Sequence, residues 1–369
     1  MATSPASLQA TAVKAPPETG LGQRYLALDS MRGMVMLLLV SHFLGLGDLK
    51  DPNLKWLADQ FEHLKWEGFV PWEMIMPAFM FMIGVAMPFA LARRRAAGAG
   101  FSRNLRNALG RTFRLVLLGQ FLTCVHRNRW AYEPYETLTQ LGLSYLLAFL
   151  ILHLPWRWQP VAAAGSLLAN LGLYVIFPGS TGPFAPNDNI GVVIDKAVFH
   201  LNHAGSWATI NFLGSGITVL FGAWTGSLVM SQRPPAAKLK VLGGAAAASF
   251  VLCAAFTPFI PIIHKAWSLT FTFIHTGILL VAVMLFYWVF DLKGCKRLAF
   301  PLMVVGVNSI FIYMLAQLFR GWLNRTVTVF TGGFTLLGPF APAVQACAVA
   351  LVMWYACYWC YKRKIFFKV

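Results

Sequence analysis

Apolar residues fill this chain in long unbroken blocks rather than at alternate positions. Ten stretches read as membrane helices, near 25–46, 70–92, 108–125, 137–154, 160–178, 207–230, 241–259, 267–290, 300–319 and 341–361. Crossing the hydrocarbon layer takes about 20 apolar residues. Hydrocarbon offers no partner to backbone N–H and C=O groups, so each span must satisfy them internally, as a helix. A barrel would alternate over about ten residues per strand, and runs such as GMVMLLLV (33–40) do not. The pattern predicts an all-α, polytopic helical membrane protein with about ten transmembrane helices.

Composition agrees. Of 369 residues, 58% are hydrophobic and only 12% charged, where a soluble domain carries about 25% charged residues to cover its surface. No repeat of solenoid length is visible, and no soluble domain has room to fold between spans. Residues 1–24 lack an apolar core of signal-peptide length and read as a disordered cytoplasmic tail. Residues 25–369 read as one transmembrane domain.

Charge orients it. Most of the 30 Lys and Arg fall in the tail, the first-helix entry, 93–114, Arg157, 233–240, 293–297 and 362–368, which alternate onto one side. Only Glu18, Asp29 and Asp291 of the 13 acids join them. By the positive-inside rule both termini are cytoplasmic. The net charge of +17 is then topological; it implies the lipid bilayer as a partner and no nucleic acid. The cysteines suggest no disulfide framework. CYWC (357–360) stands in the last span without a His or carboxylate beside it, short of zinc's usual four ligands, so no metal is expected.

Ionisable groups inside spans are costly and mark candidate sites. LDSMRG places Asp29 and Arg32 three apart on one helix face, where they can pair or serve as an interfacial anchor. Ser41 and His42 stand toward the outer end of the same span, and Asn211 near the outer start of the sixth. Asn308 and Ser309 enter the ninth. Such residues often do no more than bond across helices, yet His42, His63, Glu73 and Asn211 all map to the outer half, as around a cavity open on that side. In FEHLKWEGFVPWEMIMPAFMFMIG (61–84), Pro71 suits a first helical turn, Glu73 a helix N-terminus, and Pro77 a kink. The loop before it has the aromatic and charged pattern of an interfacial helix.

Several blocks, in order, resemble transmembrane acyltransferases related to heparan-α-glucosaminide N-acetyltransferase. They are ALDSMRGMVMLLLV (27–40), the 61–84 block, LTQLGLSYLL (138–147), NIGVVIDKAVF (189–199), TINFLGSGITVLFGAWTG (209–226), HKAWSLTFTFIHTG (264–277) and GVNSIFIYM (306–314). The resemblance implies that an acetyl group from cytoplasmic acetyl-CoA is moved to an extracytoplasmic amino sugar or glycan, with His63 at the catalytic histidine. The chain departs from the family pattern at Ser41, which replaces an asparagine and precedes His42. It departs again at 202–205, where Asn-His-Ala-Gly replaces an acidic D-P-E-G, and at Ala316-Gln317, which replaces a His-Glu pair.

Residue chemistry fits that reaction. Arg106, Arg111 and Arg114 can meet the nucleotide phosphates through bidentate bonds, with Arg32, Asn308 and Ser309 as further donor contacts. His63 can take the proton lost by the attacking acceptor, or can itself be acetylated. Asn211, Ser41 and His42 are candidates beside it, and Trp66, Glu73 and Asp29 for the acceptor. A transporter of a sugar or small acid, or a non-catalytic membrane scaffold of the same fold, would use similar polar groups. A homodimer fits this reading. The chain's length points to a bacterial inner membrane, or to a lysosomal membrane if the source is eukaryotic.

Overall fold

The computed structural model describes residues 25–201 and 207–367. The expected tail at 1–24 and the Asn202–Gly205 departure lie outside the described residues. The structure is 76% helical, and among the described residues the only β pairing is an isolated bridge between Gly179 and Gly182. The helices are α1 (Leu26–Val40), α2 (Lys55–Ala58), α3 (Ile75–Ala96), α4 (Phe101–Arg127), α5 (Thr137–Leu152), α6 (Gln159–Ile176) and α7 (Ile190–Phe199). They continue as α8 (Phe212–Met230), α9 (Pro235–Phe256), α10 (Leu269–Phe286), α11 (Lys296–Gly306), α12 (Ser309–Thr331) and α13 (Ala341–Lys362).

Seven helical runs among the described residues are long and apolar enough to cross a membrane. The last, Ser309–Lys362, is divided into α12 and α13 by left-handed backbone at Gly332, Gly333, Phe334 and Gly338. The protein is an all-α polytopic membrane protein.

Lipid tails are as apolar as leucine, so helices associate in a bilayer by close packing, and small residues allow it. Two glycine seams do this. On α3 and α8, a side chain at Gly84 would overlap the Val219 carbonyl, and one at Gly222 or Gly226 would meet those of Phe81 and Val85. On α1 and α11, Gly33 faces the Leu302 carbonyl and Gly306 that of Asp29. Met80, Phe81 and Met82 are fully buried beside the first seam. The α1 N-terminus is held by Asp291, whose Oδ1 accepts from Leu26 N–H at 2.9 Å, a carboxylate where the helix dipole favours one.

Three expectations are corrected. The first apolar stretch runs to 46, but α1 stops at Val40 because Ser41 Oγ bonds back to Leu37 O (2.6 Å) and accepts from Leu44 N–H (2.8 Å). His42, Phe43, Leu44 and Gly45 then take left-handed backbone. The interfacial helix before the second span is instead a series of short turns, with α2 only four residues long. Pro77 makes no kink: a 3-10 turn over Pro71–Met74 precedes α3, which leaves Pro77 in the first helical turn, where its missing N–H costs nothing. The proline inside α3 is Pro88.

Candidate active site

Two loops are tied together at one end of the helices. The segment between α1 and α3 makes a turn at Gly68, whose φ of 122° suits glycine. There the Gly68 N–H donates to Ile262 O at 2.9 Å, in the loop between α9 and α10. Lys265 Nζ donates back to Lys65 O at 3.0 Å, and Trp66 Nε1 donates to Phe184 O at 2.8 Å. Trp66 thus pins the loop to protein.

These ties bring His63, Glu73 and His264 together. The turn opened by Pro71 points Glu73 inward, where it is 1% exposed. Its Oε1 accepts from the Leu64 N–H at 3.0 Å. His63 Nδ1 lies 3.2 Å from Oε2 and 3.3 Å from Oε1. His264 Nδ1 contacts the same Oε2 from the buried side. The two imidazoles are nearly parallel, at 17° with centroids 5.9 Å apart. His264 is 3% exposed and is clamped edge-on by Trp207 and against Phe271; the His63 side chain is 56% exposed.

With Nδ1 turned to the carboxylate, His63 presents Nε2 outward. A carboxylate accepting Nδ1–H fixes the tautomer whose Nε2 carries a lone pair. Partial loss of water, then the charges of Lys265 and His42, hold His63 below the usual imidazole pKa. Burial first, then His63, His275 and Lys265, hold His264 well below it. The His63 ring is therefore oriented by the carboxylate and open to approach from its exposed side.

His42 is beside this group, its ring centroid 4.8 Å from that of Trp72, which in turn lies 5.9 Å from His63. Both His42 nitrogens face acceptors: Nε2 lies 3.0 Å from Phe61 O, and Nδ1 3.1 Å from Asp48 Oδ2. Asp48 lines a cavity of about 370 Å³ with Arg320, Asn324 and Gln345. Asn211 is buried and committed on both sides: Oδ1 accepts from Tyr174 (3.0 Å) and Nδ2 donates to Lys265 O (2.6 Å). It holds the His264 loop. Ser41 spends its hydroxyl on the end of α1.

The remaining candidates lie elsewhere. Asp29 and Arg32 pair at 3.5 Å, and Arg32 Nη1 donates to Gly306 O at 3.3 Å. They sit in the first turns of α1, so Asp29 is not brought to His63, Glu73 and His264. Arg106 and Arg114 are exposed on α4, while Arg111 lies over the Tyr145 ring at 4.6 Å. The expected ninth span, 300–319, is broken here: Asn308 is buried at the junction of α11 and α12, donating to Ile365 O (3.0 Å) and accepting from Phe367 N–H (3.1 Å). Ser309 opens α12.

His264 was missed on the sequence, where only its loop placement beside Lys265 and Trp267 hinted at a role. Asp48 and Arg320 had no readable signal, because chain folding alone makes them neighbours.

A polytopic helical membrane protein with a carboxylate-oriented histidine at one end and arginines at the other end of the same helix has the parts of a membrane group-transfer enzyme. Residues 24–180 match the family model described as heparan-alpha-glucosaminide N-acetyltransferase, catalytic. This match relates the chain to that family of membrane acyltransferases, and it contains His63, Trp66 and Glu73. The blocks at 189–199, 209–226, 264–277 and 306–314 lie beyond it. A comparison with curated proteins finds no match.

Proposed function

We propose that the protein transfers an acetyl group from cytoplasmic acetyl-CoA to the amine of an amino sugar or glycan on the opposite side of the membrane. The observation that carries this reading is the His63–Glu73 pair at 3.2 Å, which leaves Nε2 of a half-exposed ring free as a base. The arginines beyond the other end of α3 (Arg93, Arg94 and Arg95, with Arg106 on α4) receive the phosphates. That helix of 22 residues spans about 33 Å, close to the hydrocarbon thickness of about 30 Å. The thin pantetheine arm carries the thioester across that distance.

The acceptor nitrogen attacks the thioester carbonyl while His63 Nε2 takes its proton. The C–N bond forms, the C–S bond breaks, and the CoA thiolate leaves and recovers the proton from His63. Glu73 stabilises the imidazolium formed on the way. Ser41, His42 and Asn211 act by position, holding the turn after α1 and the His264 loop; the cavity beside Asp48 and Arg320 offers polar groups for a sugar. Direct transfer needs no metal.

The test is labelled acetyl transfer to glucosamine, with thermal stability measured alongside. His63→Ala should leave folding intact, since the ring is half exposed, and lower transfer by about 10²-fold or more, as for a lost general base. His63→Gln should not restore it, because an amide cannot take the proton. Wild-type transfer by a stable His63→Ala protein overturns the reading.

A further inference from the structure

We propose that His63, Glu73 and His264 also form a binding site for a transition-metal dication, best suited to zinc, and that the bound ion disables His63 as a base. The binding half of this proposal stands on geometry alone; the inhibitory half rests on the transfer reaction proposed above.

One ligand atom from each residue lies within 4.8 Å of the others. Zinc holds His nitrogen and carboxylate oxygen at about 2.0–2.2 Å, which separates tetrahedral ligands by about 3.4 Å. The His63 Nδ1–Glu73 Oε2 distance is already 3.2 Å. Near-parallel rings point both Nδ1 atoms at the same carboxylate, so an ion there needs only small side-chain shifts. His264 is held by Trp207 and Phe271, and Glu73 by the Leu64 N–H. Two ligands are thus preorganised by burial. The third, His63, stands at the open side, leaving an approach for the ion and a fourth position for water, as in zinc sites that are not closed. Two imidazoles and one carboxylate suit zinc or its neighbours in the transition series better than calcium or magnesium, which prefer oxygen. The charge of Lys265 opposes the ion, and its Nζ is turned to Lys65 O.

Inhibition follows from the tautomer. In the ion-free pair, His63 gives its Nδ1 proton to Glu73 and keeps a lone pair on Nε2. An ion bound at Nδ1 takes the lone pair there, so the ring proton moves to Nε2. The outward nitrogen then has no lone pair for the acceptor's proton. No charge is added to the ring and no bond is made or broken in the substrate.

The experiment uses the purified full-length protein, stripped with EDTA and titrated with zinc against a chromophoric chelator. One saturable equivalent is expected, with a rise in thermal stability, and cobalt(II) at the same site should show the visible absorption of a four-coordinate N/O environment. His63→Ala and His264→Asn should each weaken zinc by about 10-fold or more. Zinc should inhibit wild-type transfer, and EDTA should reverse it. Zinc binding that both histidine variants retain at wild-type strength, or no saturable binding, overturns the site. Tight binding without loss of transfer overturns the inhibition alone. A chelated wild-type protein with no transfer would sink the acetyltransferase reading and leave the metal site standing.

Discussion

The two ends of α3 solve opposite problems. At the Glu73 end, each partner is held: one carboxylate serves two imidazoles and a backbone N–H, and the loops carrying them are tied at Gly68 and Lys265. At the other end, Arg94 is partly covered, and Arg93, Arg95, Arg103, Arg106 and Arg114 are exposed. Preorganisation of the first kind is worth a great deal at a reacting centre, because the cost of ordering is met during folding. A cluster of the second kind works as a field, through summed charge rather than any one contact. Single substitutions should therefore hurt steeply at one end and mildly at the other.

The largest effect is expected at Glu73. Glu73→Gln keeps the shape but turns an amide toward two imidazole nitrogens, so the tautomer of His63 is no longer fixed. Acetyl transfer should fall by about 10²-fold or more while acetyl-CoA still binds, measured as kcat and donor Kd. Equal loss of donor binding would mean that the two ends are not separate.

Next comes the seam that packs α3 against α8 between those ends. Gly222→Val puts a branched side chain against the Phe81 carbonyl and should cost about 1–3 kcal/mol or more as overpacking. Gly165→Val on α6, which meets open space, should cost little. Thermal unfolding in detergent checks the pair, and equal transitions would remove the seam from the account.

A smaller effect is expected from pH, measured with a chelator present. His63 must be neutral to act and its pKa lies below the usual value, so kcat/KM should be flat above about pH 6.5 and fall on the acid side below it. Lys265 contributes to that lowering, so Lys265→Met should move the acid limb to higher pH; a shift the other way contradicts the assignment. Stability should move in the same sense. His63 and His264 bind protons more weakly in the folded chain than in the unfolded one, so stability is lost as pH falls below about 6.5.

The smallest effect is expected at the arginine end. Arg106→Ala should raise the acetyl-CoA KM a few-fold at low salt, and that difference should shrink at high salt, where exposed charges are screened beyond about 8–10 Å. A loss as large as that at Glu73 would show that Arg106 is a built contact and not one member of a field.

Much of the architecture was legible in the residues. Backbone groups in hydrocarbon have no partner but their own helix, so apolar length located most of the long helices, though the stretch at 300–319 is divided between α11 and α12; the pairing of Asp29 with Arg32 followed from helical spacing. GAWTG (222–226) spaces two glycines four apart, as close-packed helices do; that they meet the backbone at Phe81 and Val85 only the folded structure shows. Local chemistry overrode pattern where α1 ends early, because the Ser41 hydroxyl competes for the backbone. Glu73 illustrates the limit. Its position before an apolar run suggested a helix-end charge, yet burial between two imidazoles decides what it does.

By itself, then, the sequence determined the solvent, most of the long helices and the presence of a histidine with an acid nearby, since these depend on transfer energies and spacings that act along a single segment. Only the tertiary structure decided that Glu73 is shared with His264 and that Asn211 supports that loop through Lys265 O. These depend on loops far apart in the chain meeting at one end of the bundle, where the approach of Gly68 to Ile262, and not any local preference, fixes which side chains share one carboxylate.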